Sequence, residues 1–336
     1  QDPATFAKRQ VLFVVIGIAV MLAAAFLDYR LYRDFANSAY LVVMLALVGV
    51  LFFGVERNGA RAWYELPGQT FQIQPAEFAK VAVIVALAAF VANQGGHLRL
   101  VTLSNAYLML AVPLGLIYLQ PDLGTMLVFV AIGMGVLLVA GAQLKHIVVT
   151  SLIGVVVVVA MFNSDNLGGP ALLRQTQEQR LTAFLDPGFD LQGASYNINQ
   201  SQIAIGAGGL RGQGWLQGTQ TNLNLVPEQE TDFIFTALGE EFGFVGVSLL
   251  LLLYAYMLAR IWFIARASND LFAAFACVGA LSMLTFQIFQ NIGMTMGIMP
   301  ITGIPLPFLS HGGSSTVVAF GLIGLVINVS ARRHLT

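Results

Sequence analysis

Charge is what this chain has least of: 10% of its 336 residues are Asp, Glu, Lys or Arg, against roughly 25% in a soluble domain. The 16 basic and 17 acidic side chains leave a formal net charge of −1 and are scattered along the sequence. No basic field exists to attract nucleic acid, and that partner is excluded. Cys277, the single cysteine, lies inside an apolar run, which excludes an intrachain disulfide and a thiolate metal site. The four histidines, His97, His146, His311 and His334, are dispersed and suggest no metal set. Nucleotide and hydrolase signatures are missing too. No G-K-[ST] occurs, and Arg211 stands where the last glycine of a G-x-G-x-x-G would fall. Ser310 and His311 are adjacent without a surrounding G-x-S-x-G, and no S-x-x-K is present, so serine-hydrolase and penicillin-type transpeptidase chemistry are excluded.

What the chain has instead is apolar length: 57% hydrophobic residues and a mean hydropathy of +0.78. Segments long enough to cross a bilayer run approximately Val11–Leu27, Ser38–Val55, Ala76–Ala92, Val101–Leu119, Leu123–Gly141, His146–Phe162, Phe233–Ile264, Leu271–Met299 and Gly313–Ser330. These nine spans predict an all-α polytopic integral membrane protein, one transmembrane domain over residues 1–336. Residues 163–232 form a single polar, Gly-rich connector, far longer than the usual 4 to 6 residues. No internal repeat is visible, which weakens an inverted-repeat transporter reading.

Lys and Arg near span ends set orientation. The C-terminal SARRHLT, ARIWFIARASND, GAQLKH, NQGGHLR and DYRLYRD then share the cytoplasmic side, and the long connector is outside. With nine spans the N-terminal QDPATFAKRQ also falls outside, with Lys8 and Arg9 against the rule. The expectation is that a preceding helix has been lost.

On the outer side the unusual residues collect. RNGARAW (residues 57–63) and QPAEFAK (residues 74–80) join the second and third spans, and LQPDLG joins the fourth and fifth. Glu77 and Lys80 are spaced i, i+3 on a first helical turn and can pair, as a self-satisfying ion pair or as a functional one. Asp122 fits a helix cap. The glycines of SYNINQSQIAIGAGGLRGQGWLQGTQ fit tight turns or exposed N–H groups around a phosphate. MPITGIPLPFLSHGGSS excludes regular helix, and Ser314 and Ser315 can cap the last span. In VPEQETDFIF, Glu228, Glu230 and Asp232 stand directly before an apolar run. Glu240 and Glu241, about 12 to 14 Å further along a helix, fit internal hydrogen bonds, and Asp186 fits a turn.

The strings GARAW, QPAEFAK, LQPDLGT, RLTAFLDP, YNINQSQIAIGAGGLRGQGWLQGTQ, LVPEQETDFIFTALGEEFGFVG and PITGIPLPFLSHGGSS resemble, in order and over nearly the whole chain, the successive signatures of the SEDS (shape, elongation, division and sporulation) family. GGLRGQGWLQGTQ is closer to the elongation-type members than to the division-type ones. Ala76 departs from the Ser usual there. The resemblance implies ten helices with both termini inside, so that this chain's first span matches the family's second. It implies a peptidoglycan glycosyltransferase polymerising lipid II, the disaccharide-pentapeptide on undecaprenyl diphosphate, in the bacterial cytoplasmic (inner) membrane with its site outside. It implies Asp232 as the catalytic acid position. Arg61, Trp63, Lys80, Arg211, Ser310 and Ser314 become candidates for sugar or diphosphate contacts, and Glu77 for orienting Lys80 and holding a divalent cation, Mg or Mn. No other cofactor is implied. A class B penicillin-binding protein and the elongation machinery are the implied partners. The chemistry agrees: a glycosyl diphosphate is already activated, and its transfer needs a base and a cationic or N–H cradle for the leaving group. A lipid II flippase and a non-catalytic scaffold are the competing readings.

Overall fold

A computed structural model describes residues 3–57, 59–65, 72–95, 98–163, 174–186, 188, 193–223 and 225–332. His97, His334 and positions 164–173 and 189–192 of the long connector lie outside the described residues. In chain order come α1 (Pro3–Phe26), α2 (Tyr29–Asp34) and α3 (Ala36–Phe53), followed by three strands, β1 (Val55–Arg57), β2 (Ala60–Glu65) and β3 (Gln72–Ile73). Next are α4 (Pro75–Asn93), α5 (Leu100–Leu119), α6 (Leu123–Val139) and α7 (Leu144–Phe162). The connector carries α8 (Gln175–Leu185), α9 (Ala194–Gly208) and α10 (Thr219–Asn222), and the chain ends with α11 (Ile234–Arg266), α12 (Leu271–Thr295) and α13 (Gly313–Arg332). Eight described helices are long and apolar enough to cross a membrane, and α6, with 17 residues, meets the lower limit. The protein is a polytopic helical membrane protein, with each apolar run of the sequence now a helix.

Local signals start these helices. Pro75 occupies the first turn of α4, where its missing N–H costs nothing; Asp122 caps α6 through Thr125 N and Asp270 caps α12 through Phe272 N. Helices α4 and α12 form the centre. Ala79, Val83, Ile84, Leu87 and Val91 of α4 and Ala276, Cys277, Met283 and Leu284 of α12 are buried, the largely apolar make-up of helices surrounded by others. Cys277 is core filler. At the rim, the valines 155–159 of α7 are exposed, a face that only hydrocarbon suits. Helices α1 and α13 pack closely because Gly324 has no side chain: a Cβ there would lie 2.4 Å from the Met21 carbonyl oxygen. Asn328 Nδ2 then donates to the Ala24 and Ala25 carbonyls and Arg332 Nη1 to Leu27, satisfying acceptors that the end of α1 would leave open.

The structure departs from the sequence expectation in three places. The connector between α3 and α4 is not all-α: β1 pairs antiparallel with β2, and β2 with β3. The β-prone Ala60–Glu65 segment finds partners there, and Tyr64 Oη donates to the Ala46 carbonyl at 3.0 Å. Within residues 163–232, much of the stretch expected as turns is α9, whose Ser201 hydroxyl meets Thr236 Oγ1 at 2.6 Å and donates to the Thr295 carbonyl at 2.8 Å. Among the described residues of this connector, positive φ falls on the later glycines, Gly209, Gly212 and Gly214, and on Leu216 and Glu228.

The third departure is in α11, which is not one continuous span: Gly243 has φ 62° and ψ −163°, a region essentially reserved for glycine. A Cβ at Gly243 would also lie 2.3 Å from Gly212 N. Gly243→Ala is therefore expected to destabilise the protein by at least 1 to 3 kcal/mol on backbone strain alone, about the usual cost of such a conformation. A lowered thermal unfolding midpoint in detergent checks this, and an unchanged midpoint would contradict it.

Candidate functional site

Asp232 stands in the turn two residues ahead of α11 and is half-buried. The turn is held from three sides. Asp232 N donates to Glu228 O at 3.0 Å, and His311 N donates to Glu230 O at 2.8 Å. The buried Asn291 of α12 donates through Nδ2 to the carbonyls of Asp232 and Ile304, both at 2.8 Å. One amide thus fixes the Asp232 turn and the Pro-rich segment before α13 to the central helix.

The Asp232 side chain faces Arg180. A Cβ placed on Gly303 would lie 3.3 Å from Asp232 Oδ2 and 3.7 Å from an Arg180 Nη1, so both groups converge on one spot. Burial raises the Asp232 carboxyl to a pKa of about 6; the Arg180 guanidinium and the Thr231 hydroxyl oppose the rise, and the Glu228 and Asp122 carboxylates add to it. A carboxylate poised near neutrality suits a general base. Arg180→Gln removes the cation that favours the ionised form, so the Asp232 pKa should climb by on the order of one unit. The acid limb of the pH–rate profile is then expected to move to higher pH. A limb that stayed in place would show that Arg180 does not act on this carboxylate.

Asp122 does more than cap α6. Its Oδ2 accepts from Gln74 Nε2 at 3.3 Å and from Thr125 Oγ1 at 2.7 Å, joining the starts of α4 and α6. Gln177 Nε2 donates to the Pro121 carbonyl at 3.0 Å. Gln177 and Arg180, one turn apart on α8, therefore hold that helix on the Asp122 turn while presenting the guanidinium to Asp232. Ser314 Oγ accepts from Gln74 N at 3.1 Å and donates to the Gln72 carbonyl at 3.3 Å. The expected capping of α13 by Ser314 is corrected: its hydroxyl serves the start of α4 instead.

Glu77 and Lys80 form the predicted pair, with Lys80 Nζ 2.7 Å from Glu77 Oε1 and relative exposures of 1% for Lys80 and 3% for Glu77. Glu77 Oε2 is buried with no hydrogen-bond partner, an open acceptor that calls for an explanation. A divalent cation does not fit at Glu77, because Lys80 already places a positive charge against it. Among the described residues no three His, Cys, Asp or Glu side chains gather at metal-binding range.

Other sequence candidates fall elsewhere. Arg61, on β2, is exposed, donates to the Leu51 carbonyl and lies 3.9 Å from Glu56, while Trp63 on the same strand is half-buried. Ser310 is buried and its Oγ accepts from Leu306 N at 2.8 Å, which shapes the Pro-rich turn before α13. Arg211 is not brought to Asp232. Helix α9 runs beside α11 in the same direction, Ser201 against Thr236 and Gly208 against Gly239, which carries Arg211 to the level of Gly243, and its side chain is exposed. Glu240 makes the expected internal bonds, accepting from Gln220 N at 2.6 Å and from Thr221 N at 3.0 Å and Oγ1 at 2.7 Å. A cleft of ≈ 470 Å³ lined by Tyr29, Arg30, Arg33, Asp34 and Asp270 opens at the opposite end of α11 and is separate from this cluster. Sequence reasoning missed Arg180 and Gln177; for Arg180 the one signal was its place at the head of the RLTAFLDP string.

A helix bundle that crosses the membrane and gathers carboxylates, an arginine and a buried Lys–Glu pair at the start of α4, α6 and α11 defines an integral membrane protein with a polar site at one end of its spans. The chain belongs to the FtsW/RodA/SpoVE family of cell cycle proteins, whose profile matches residues 1–335. It is 37% identical over 329 residues to the peptidoglycan glycosyltransferase MrdB of Escherichia coli K12, covering 98% of this chain and 86% of that protein. It is 38% identical over 340 residues to stage V sporulation protein E of Bacillus subtilis, covering 98% and 88%. Among solved structures it resembles a chain from a peptidoglycan synthase complex that coordinates polymerization and crosslinking, with a TM-score of 0.83, 32% identity and 100% and 92% coverage. The rod shape determining protein RodA of Thermus thermophilus matches with a TM-score of 0.72, 31% identity and 99% and 90% coverage.

Proposed function

We propose that this protein is a peptidoglycan glycosyltransferase that polymerises lipid II during cell elongation, with Asp232 as general base. The observation that carries the proposal is the Asp232 carboxyl, raised to about 6 and converging with Arg180 on one spot. In the step, Asp232 takes the proton of the GlcNAc 4-hydroxyl of one lipid II. That oxygen forms the glycosidic bond to the muramyl anomeric carbon of another with inversion, and the bond from that carbon to the diphosphate breaks, releasing undecaprenyl diphosphate. Arg180 and Lys80 supply positive charge for the leaving diphosphate, the role that electrostatic stabilisation requires. The open Glu77 Oε2 accepts a hydrogen bond from a substrate hydroxyl or amide. No step needs a metal ion at Glu77.

The site faces away from the cytoplasm in the inner membrane, so that the lipid tail of the substrate stays in the bilayer. A class B penicillin-binding protein is the partner, because this chain has no S-x-x-K with which to crosslink the strands. The test is incubation of the purified protein, with and without such a partner, with labelled lipid II. Glycan polymer with release of one undecaprenyl diphosphate per linkage is expected. Movement of lipid II across a vesicle membrane with no polymer would overturn the proposal.

A further inference from the structure

At the break in α11 the backbone exchanges partners. In an unbroken helix Phe244 N would bind Glu240 O, and Val245 N would bind Glu241 O. Here Phe244 N donates to Gly209 O at 2.9 Å and Val245 N to Leu210 O at 3.1 Å, while Glu240 O accepts from Gln213 N at 2.9 Å and Glu241 O from Gly214 N at 3.0 Å. Four backbone groups freed by the break are thus satisfied by the turn that follows α9. Such complete satisfaction is what irregular backbone needs beside hydrocarbon. The part of α11 beyond the break, Phe244 to Arg266, is about 34 Å long at 1.5 Å per residue and crosses a bilayer by itself. The break therefore lies where that span begins.

The side chains around it are apolar and exposed: Leu210 74%, Trp215 71%, Leu216 71% and Phe244 65%. Trp215 leans on Phe242 with ring centroids 6.4 Å apart, and the Val245 N to Leu210 O bond joins this patch to the exposed apolar residues Val245, Leu249 and Leu252 of α11. Arg211 is exposed among them. A tryptophan beside a basic residue at a span boundary has the composition of the membrane interface.

We infer that residues 209–216 are a membrane anchor, seated at the boundary between headgroups and acyl chains of the leaflet on the Asp232 side, with Trp215, Leu210 and Leu216 in the acyl region and Arg211 on phospholipid phosphates. The occupant is phospholipid, argued from continuity with the spanning face of α11. The anchor ties α9, and through Ser201 the start of α11, to a fixed depth. It also assigns Arg211 to lipid, and it stands whether or not the glycosyltransferase proposal does.

The chain has three tryptophans, so the signal of one is read by difference. The full chain and Trp215→Phe are reconstituted in vesicles whose phospholipids carry bromine either near the headgroup end of the acyl chains or near the bilayer centre. The emission lost in Trp215→Phe is expected to be blue-shifted, quenched strongly by the shallow bromines and less by the deep ones, and insensitive to aqueous iodide. Arg211→Glu should shift that emission to the red as phosphate repulsion lifts the turn. Quenching by iodide with none by bromine would place Trp215 in water; quenching by neither would place it under protein. Either result overturns the anchor.

Discussion

Lys80→Ala is expected to cripple the fold before it affects chemistry. Lys80 is fully buried, and its ammonium is 2.7 Å from Glu77 Oε1, so truncation leaves a carboxylate buried among apolar side chains of α4 with no compensating charge. Breaking a buried pair from one side costs about 3 to 5 kcal/mol, a large share of the roughly 5 to 15 kcal/mol that holds a typical protein folded. The thermal unfolding midpoint in detergent should fall steeply. Replacing both partners, Glu77→Gln with Lys80→Met, removes the stranded charge and should recover most of the stability, since apolar substitution of a buried pair is often neutral. The double variant separates structure from chemistry. If the pair serves the substrate, it folds without polymerising lipid II. If it regains full activity, the pair is only structural and the open Glu77 Oε2 has no functional meaning.

Asp232→Asn should produce the opposite pattern, a folded protein without activity. Asparagine keeps the size and the polarity of the side chain, and the bonds that fix the turn run through backbone atoms, from Asn291 to the Asp232 carbonyl and from Asp232 N to Glu228. General-base catalysis is typically worth about 10² to 10⁴ in rate, and polymerisation should fall by at least that. The carboxyl has its ordinary value of 3.8 when unfolded and about 6 when folded. The folded protein therefore holds this proton more tightly, and the stability that this contributes is present at low pH and lost as pH rises through 6. Above that pH the ionised, partly buried carboxylate is a cost, so the Asn variant should melt no lower than the parent. Retained polymerase activity in a folded Asp232→Asn protein would remove Asp232 from the mechanism.

The membrane-crossing helices were legible because each is written as a continuous apolar run between polar turns, and the Glu77–Lys80 pair because i, i+3 spacing is a local property of a helix. Asp232 was legible as an acid against an apolar run and through its family resemblance. The break at Gly243 was not legible: apolar residues continue through it, and only the backbone of the turn after α9, which is distant in sequence, compensates the missing bonds. Helix α9 was obscured by its polar residues and glycines; it is stabilised by packing on α11 and α12, a tertiary effect that propensity does not record. Arg180 was missed for the same kind of reason, since nothing within its own string says that α8 will rest on the Pro121 turn and face Asp232. Arg211 was read as a sugar or diphosphate contact because a basic residue amid glycines suggests phosphate binding, and α9 carries it to the level of the break in α11, a placement set by tertiary packing that its own string does not show. The strands β1 to β3 were too short to show as alternating patterns.

The most direct test of the central claim, that Asp232 acts as the base, is the pH dependence of lipid II polymerisation by the purified protein in the presence of its penicillin-binding partner. The account predicts a rate that falls tenfold per pH unit on the acid side, with a midpoint near the Asp232 pKa of about 6, and a residual rate in Asp232→Asn that lacks this limb. A profile that stays flat through that range, or an Asn variant that keeps the same limb, would contradict it.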